Sequence, residues 1–172
     1  MCTDVDYKGV VYGTQLAIHF MRKNKSPGGH IICTCSAAAL YPHETYPEYD
    51  GAKAAVLNFV FATSRLLLAK ENIKIGAVLP GIVVTNIIPP EMVAAVSKDC
   101  LTPVSTIVSA YQRFLEDDSL AGKAIEATVD KHFIVPRPEY LNGRFSKRAC
   151  TVWEPLFKTY HGENSELDDA IS

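Results

Sequence analysis

The stretch Ala54–Ala62 constrains the fold of this chain more than any other. Every residue in it except Asn58 is apolar, and it sits inside a segment, Tyr49–Lys70, that reads as one long helix. A helix apolar nearly all round must be covered on both sides. One cover is expected to be a sheet, and the other either internal packing or a second molecule.

The flanking text supplies the sheet. Apolar residues Val10, Val11, Ala17, Ile18 and Met21 recur at helical spacing between about residues 6 and 24, until Pro27-Gly28-Gly29 breaks the pattern. His30–Cys35 is a short apolar run that reads as a buried strand. After the long helix, Ile73–Leu79 is a second such run, ended by Pro80-Gly81. A loop through Pro89 and Pro90 leads to a helix expected at Pro103–Leu115, with Thr102 as its cap. Ala124–Val135 reads as a third strand-like segment. Helix and strand in alternation predict an α/β domain with a parallel sheet. It is expected to occupy residues 1–136, followed by a more polar extension over 137–172 with a loose acidic end.

Composition excludes several classes. At 172 residues one domain is expected. With 17 basic and 19 acidic residues, the net charge of −2 gives no electrostatic footprint for nucleic acid. Lys53, Asn58 and Arg65 interrupt the greasiest stretch, which argues against a membrane span, and Asp4 and Asp6 argue against a signal peptide. The five cysteines are odd in number and scattered, so free thiols in a reducing, cytoplasmic compartment are expected. Cys33 and Cys35 lack a second ligand pair, so no metal site is expected.

The chemistry centres on Tyr49 and Lys53. At i and i+4 their phenol and ammonium share one helical face, and a nearby cation favours a phenolate able to exchange a proton with an alcohol or carbonyl oxygen. With eight tyrosines in the chain such a pair arises easily by chance. Its context adds weight: Ser36 follows the first strand at the carboxyl edge of the sheet, where reactive groups of open α/β sheets gather. Alone, Ser36 reads as a turn or cap residue, and Pro80-Gly81 with Thr85 as a turn.

Taken together, "GGHIICTCSAAALYP", "YDGAKAAVLNFVFATSRLLL" and "IKIGAVLPGIVVT" resemble the short-chain dehydrogenase/reductase family in order and spacing. "DVDYKGVVYGTQLAIHFM" and "LEDDSLAGKAIEAT" extend the likeness over about residues 4–136, most like fungal and animal members of the hydroxyprostaglandin dehydrogenase branch. The resemblance implies a partial Rossmann-like parallel sheet flanked by helices and an NAD- or NADP-dependent exchange of a secondary alcohol and a ketone. It implies Tyr49 as general acid/base, Lys53 as its charge partner and ribose ligand, and Ser36 as the group that orients the substrate oxygen. Pro80, Gly81, Val83 and Thr85 would line the nicotinamide. Ile87, Ile88, Pro89, Met92 and Val93 fall at the substrate loop, which implies an apolar small-molecule substrate, though a plain hydrophobic lid reads equally well. A homodimer through helices about 6–24 and 49–70 is also implied.

The chain departs from the family at three places. Asp6 stands where the family carries an asparagine that helps hold a water, and its charge disfavours a phenolate at Tyr49. Gly76 replaces another asparagine, with a structural role expected. The family's first strands and glycine-rich phosphate turn have no counterpart in these residues, so weakened dinucleotide affinity is expected. Two other readings stay open: a non-catalytic dimerising or binding module, and a non-redox isomerase or cyclase using the same acid/base set.

Overall fold

The computed structural model describes all 172 residues, Met1–Ser172. The expected α/β architecture is present. The sheet has four strands, β1 (Gly29–Thr34), β2 (Ile73–Pro80), β3 (Ala124–Thr128) and β4 (Lys131–Val135), in the order β1-β2-β3-β4. β1, β2 and β3 run parallel, with Thr34 opposite Val78 and Pro80 opposite Ala127. β1 is an edge strand with an unpaired outer side.

β2 is the centre of the core. Ile73, Ile75, Gly76, Ala77, Val78 and Leu79 are all buried, as a near-continuous apolar run in a parallel sheet requires. The long helix, α2 (Pro47–Glu71), covers one face. Val56, Leu57, Val60 and Phe61 pack there with Cys33, Cys35, Ile75, Ala77 and Leu79. Each large side chain so buried contributes roughly 1.5–3 kcal/mol. α2 is long and apolar enough to cross a membrane, but here it is a core helix lying on the sheet. Its far side is less covered: Ala54, Ala55 and Phe59 are half-buried, and Asn58 and Ala62 are exposed.

α1 (Gly9–Met21) lies against β1, with Val10 on this core; Tyr7, just before it, meets Phe59 of α2 edge-on at 6.4 Å between ring centroids. The expected helix over 6–24 is shorter at its end and unlike an α-helix at its start, because Thr3–Lys8 forms a π-helical turn. The other face of the sheet is covered by α4 (Val104–Glu116), whose Ala110 and Phe114 pack on Val78, Ile125 and Ala127.

Two further expectations are corrected. Ala124–Val135 is not one strand but an antiparallel hairpin, β3–β4, turning at Val129-Asp130. Val129 has φ 54°, a conformation that disfavours β-branched residues. It is held there because its N–H donates to Thr102 Oγ1 at 3.0 Å while its carbonyl accepts from Thr106 Oγ1 at 2.7 Å. Thr102 therefore serves this turn, and the cap of α4 is Pro103.

Residues 137–172 carry α5 (Gly143–Cys150) and α6 (Glu154–His161). Their acidic end is tied to α2 through Asp169–Arg65 at 2.6 Å and Glu163–Lys70 at 3.2 Å.

Gly76 has a clear packing reason. A Cβ there would lie 2.7 and 2.9 Å from Cδ1 and Cζ of Phe114, a ring only 4% exposed. Gly76→Ala is expected to cost about 1–3 kcal/mol by overpacking, read as a thermal unfolding midpoint lower by several degrees.

Candidate active site

The carboxyl ends of β1 and β2 open onto a cleft of about 520 Å³. Ser36 leaves the sheet just after β1, where Cys35 N–H still donates to Val78 O at 2.8 Å. Its backbone remains extended, and its Oγ accepts from Ala38 N–H at 3.1 Å, capping the short 3-10 turn Ala37–Ala39. The cap reading of Ser36 is thus correct, and the residue also lines the cleft. Tyr49 enters from the first turn of α2, which starts at Pro47, where a missing N–H costs nothing. Pro80 and Gly81 line the same cleft from the end of β2. A Cβ on Gly81 would meet Thr128 Cγ2 at 2.8 Å, so glycine lets this turn lie against β3.

One turn deeper along α2, Lys53 is buried, with its Nζ 5.5 Å from the centroid of the Tyr49 ring. A buried ammonium needs a charged or hydrogen-bonding partner. It has one in Asp6, whose Oδ1 lies 3.2 Å from Nζ. The second oxygen of Asp6 accepts from the Cys2 thiol at 3.2 Å, and that bond raises the Cys2 pKa.

Ile87, Ile88, Pro89 and Met92 close the apolar side of the cleft, just before and within α3 (Pro90–Ala95). The remaining expected residues lie elsewhere. Thr85 and Val93 line a neighbouring, open cleft, and Val83 lines neither.

The sequence reading missed an aromatic wall. Tyr41, His43 and Tyr46, from the loop before α2, face the cleft. Tyr41 OH donates to Glu126 Oε2 of β3 at 2.8 Å, and the carboxylate pushes the phenol pKa up. His43 N–H donates to Oδ2 of the buried Asp50 at 2.7 Å, and its Nδ1 lies 3.5 Å from that oxygen. Asp50 Oδ1 has no partner. The available signal was the concentration of aromatic and proline residues in "YPHETYPEYD", which suits a wall better than a solvated loop.

This arrangement of strand-end serine, helix-borne tyrosine and lysine, and strand-end Pro-Gly matches a recognised pattern along the chain. The family model described as short chain dehydrogenase matches residues 1–92. The chain belongs to the short-chain dehydrogenase/reductase family. Among curated relatives, short-chain dehydrogenase/reductase prx6 of Penicillium rubens is 56% identical over 169 residues, covering 98% of this chain and 57% of its own length. Prx7 of the same fungus is 30% identical, covering 75% of this chain and 46% of its own length. The chain thus spans about half the length of these two relatives. In fold, it is similar to the crystal structure of acetoin dehydrogenase YohF from Salmonella typhimurium, with a TM-score of 0.59 at 21% identity. That match covers 73% of this chain and 52% of the other.

Cys35 lies in the core beneath α2, its thiol donating to Lys53 O at 3.2 Å. Burial pushes the pKa values of Cys33 and Cys35 up to about 11, and a protonated thiol is a poor nucleophile. Alkylation of the native chain near neutral pH, followed by mass spectrometry, is expected to label the exposed Cys100 and Cys150 and to spare Cys33 and Cys35 until the chain unfolds.

Proposed function

We propose that this chain carries the acid/base centre of an NAD- or NADP-dependent oxidoreductase that interconverts a secondary alcohol and a ketone on an apolar small molecule. The observation that carries this reading is the meeting of Ser36 and Tyr49 in one apolar cleft, with the Lys53 ammonium 5.5 Å from the phenol ring.

The donor set fits the nicotinamide end of such a cofactor. Ser36 and Tyr49 offer hydroxyls at one wall, Pro80-Gly81 offers a flat floor at the strand end, and Lys53 offers a cation near the phenol. When bound, the nicotinamide supplies the hydride acceptor or donor. The chain handles the proton. In the reducing direction Tyr49 gives its hydroxyl proton to the ketone oxygen as the carbinol C–H bond forms, and the phenolate left behind faces Lys53 until solvent restores the proton. In the oxidising direction the same phenolate takes the alcohol proton. Ser36 Oγ, already accepting from Ala38 N–H, keeps its own proton free to donate to the substrate oxygen. Ile87, Ile88, Pro89 and Met92 favour an apolar substrate body and limit water around the reacting carbon.

A second copy of the chain is part of this reading. Tyr12, Leu16 and Phe20 stand one helical turn apart on α1, each about 60% exposed. A non-catalytic dimerising relative is the second reading, and these same side chains favour it. Sedimentation is expected to give a mass near twice 18.9 kDa, and a monomer at all concentrations would remove the proposed dimer.

A screen of secondary alcohols and ketones with both nucleotides tests the chemistry. Tyr49→Phe is expected to lower turnover by roughly 10²–10⁴-fold, the usual range for one general acid/base. An unchanged rate in that variant would remove Tyr49 as the acid/base, and no turnover by the folded chain with any pair would leave the non-catalytic reading in its place.

A further inference from the structure

We infer that Asp6 is a positioning residue of this site: its carboxylate clamps the Lys53 ammonium against the π-helical turn and withholds part of that charge from Tyr49. The functional side of this inference rests on the oxidoreductase reading; the electrostatic side does not.

Three observations carry it. First, Asp6 Oδ1 lies 3.2 Å from Lys53 Nζ, and both side chains are largely shielded, at 26% and 11% exposed. Screening by salt is weak for a pair so covered. Second, Asp6 lies within the π-helical turn Thr3–Lys8 that packs on α2. Such a turn is wider than an α-turn and re-aims the side chains it carries, and these turns collect at functional sites. Third, the second oxygen of the carboxylate is also engaged, by the Cys2 thiol at 3.2 Å. The carboxylate is thereby fixed from both sides.

The consequence is a competition. Lys53 meets the Tyr49 ring at 5.5 Å while its ion-pair partner is Asp6. A phenolate on Tyr49, or a ribose hydroxyl brought to the ammonium, must share a cation whose charge is already largely balanced. A neutral side chain at position 6 would return that charge to the cleft. The titratable groups around Tyr49 and Lys53 are Cys2, just before the π-helical turn, and Asp6 within it, Cys35 beyond β1, Asp50 from α2, and His43 and Tyr46 from the preceding loop.

The test compares the 172-residue chain with Asp6→Asn, which keeps shape and removes charge, and Asp6→Glu, which keeps charge. Asp6→Ser is the substitute should Asp6→Asn unfold. Far-ultraviolet circular dichroism checks the fold. The tyrosinate absorbance step that Tyr49→Phe removes is expected at lower pH in Asp6→Asn, by about one unit, and near the wild-type position in Asp6→Glu. NADH, followed by its own fluorescence, is expected to bind Asp6→Asn about tenfold more tightly. A tyrosinate step left in place in folded Asp6→Asn and Asp6→Ser overturns the inference, as does weaker NADH binding in both. A shifted step with no NADH binding by any variant supports the clamp and instead removes the dinucleotide reading.

Discussion

The pairing of β1 with β2, roofed by α2, is the constraint on which the rest of this molecule depends. Six consecutive residues of β1 pair in parallel with β2, and both strands deliver their carboxyl ends to the same edge. Ser36 and Pro80-Gly81 are neighbours for that reason, although more than forty residues separate them in sequence. α2 is fixed over the same strands by Val56 and Val60, which are wholly buried, and this fixes the azimuth of the helix. Tyr49, nearly two turns before Val56, is thereby aimed at the cleft. The apolar run that builds the core also aims the phenol.

Placing Lys53 in that roof has an electrostatic cost. Burial of an ammonium is tolerated only with compensation, and removing one member of such a pair leaves the other uncompensated. Asp6 provides the compensation from a neighbouring element, while the ring of Tyr49 adds a cation–π contact. The covered setting of Lys53 makes it dependent on a counter-charge. Under the proposed function, fold stability and proton chemistry draw on one cation.

Much of this was legible in the sequence because periodicity reports burial. The strands His30–Cys35 and Ile73–Leu79 and the long helix announce themselves by apolar runs, and the motif residues follow at the ends of those runs. What was not legible came from tertiary partners. The Val129-Asp130 turn lacks the usual glycine or asparagine and survives on two hydrogen bonds, one accepted by Thr102 and one donated by Thr106, so the text reads as one strand where there are two. The π-helical turn has no composition signal, since it differs from an α-turn only in hydrogen-bond register. Tyr41 and His43 follow no helical or strand period, and their place in the wall is set by Glu126 and Asp50.

The two rims of the sheet are not alike. β4 is short, antiparallel to its neighbour and begins with the exposed Lys131, features that blunt a rim. β1 is parallel, begins with Gly29 and continues with the half-buried His30, Ile31 and Ile32. Its outward N–H and C=O groups form a regular row with little charge to repel an incoming strand. In terms of growth, the sheet has a direction: it can lengthen past β1 without breaking a bond already made, and lengthening past β4 is opposed. Any strand accepted there would lie next to the one that leads into Ser36, so an addition at this rim would be felt at the mouth of the cleft.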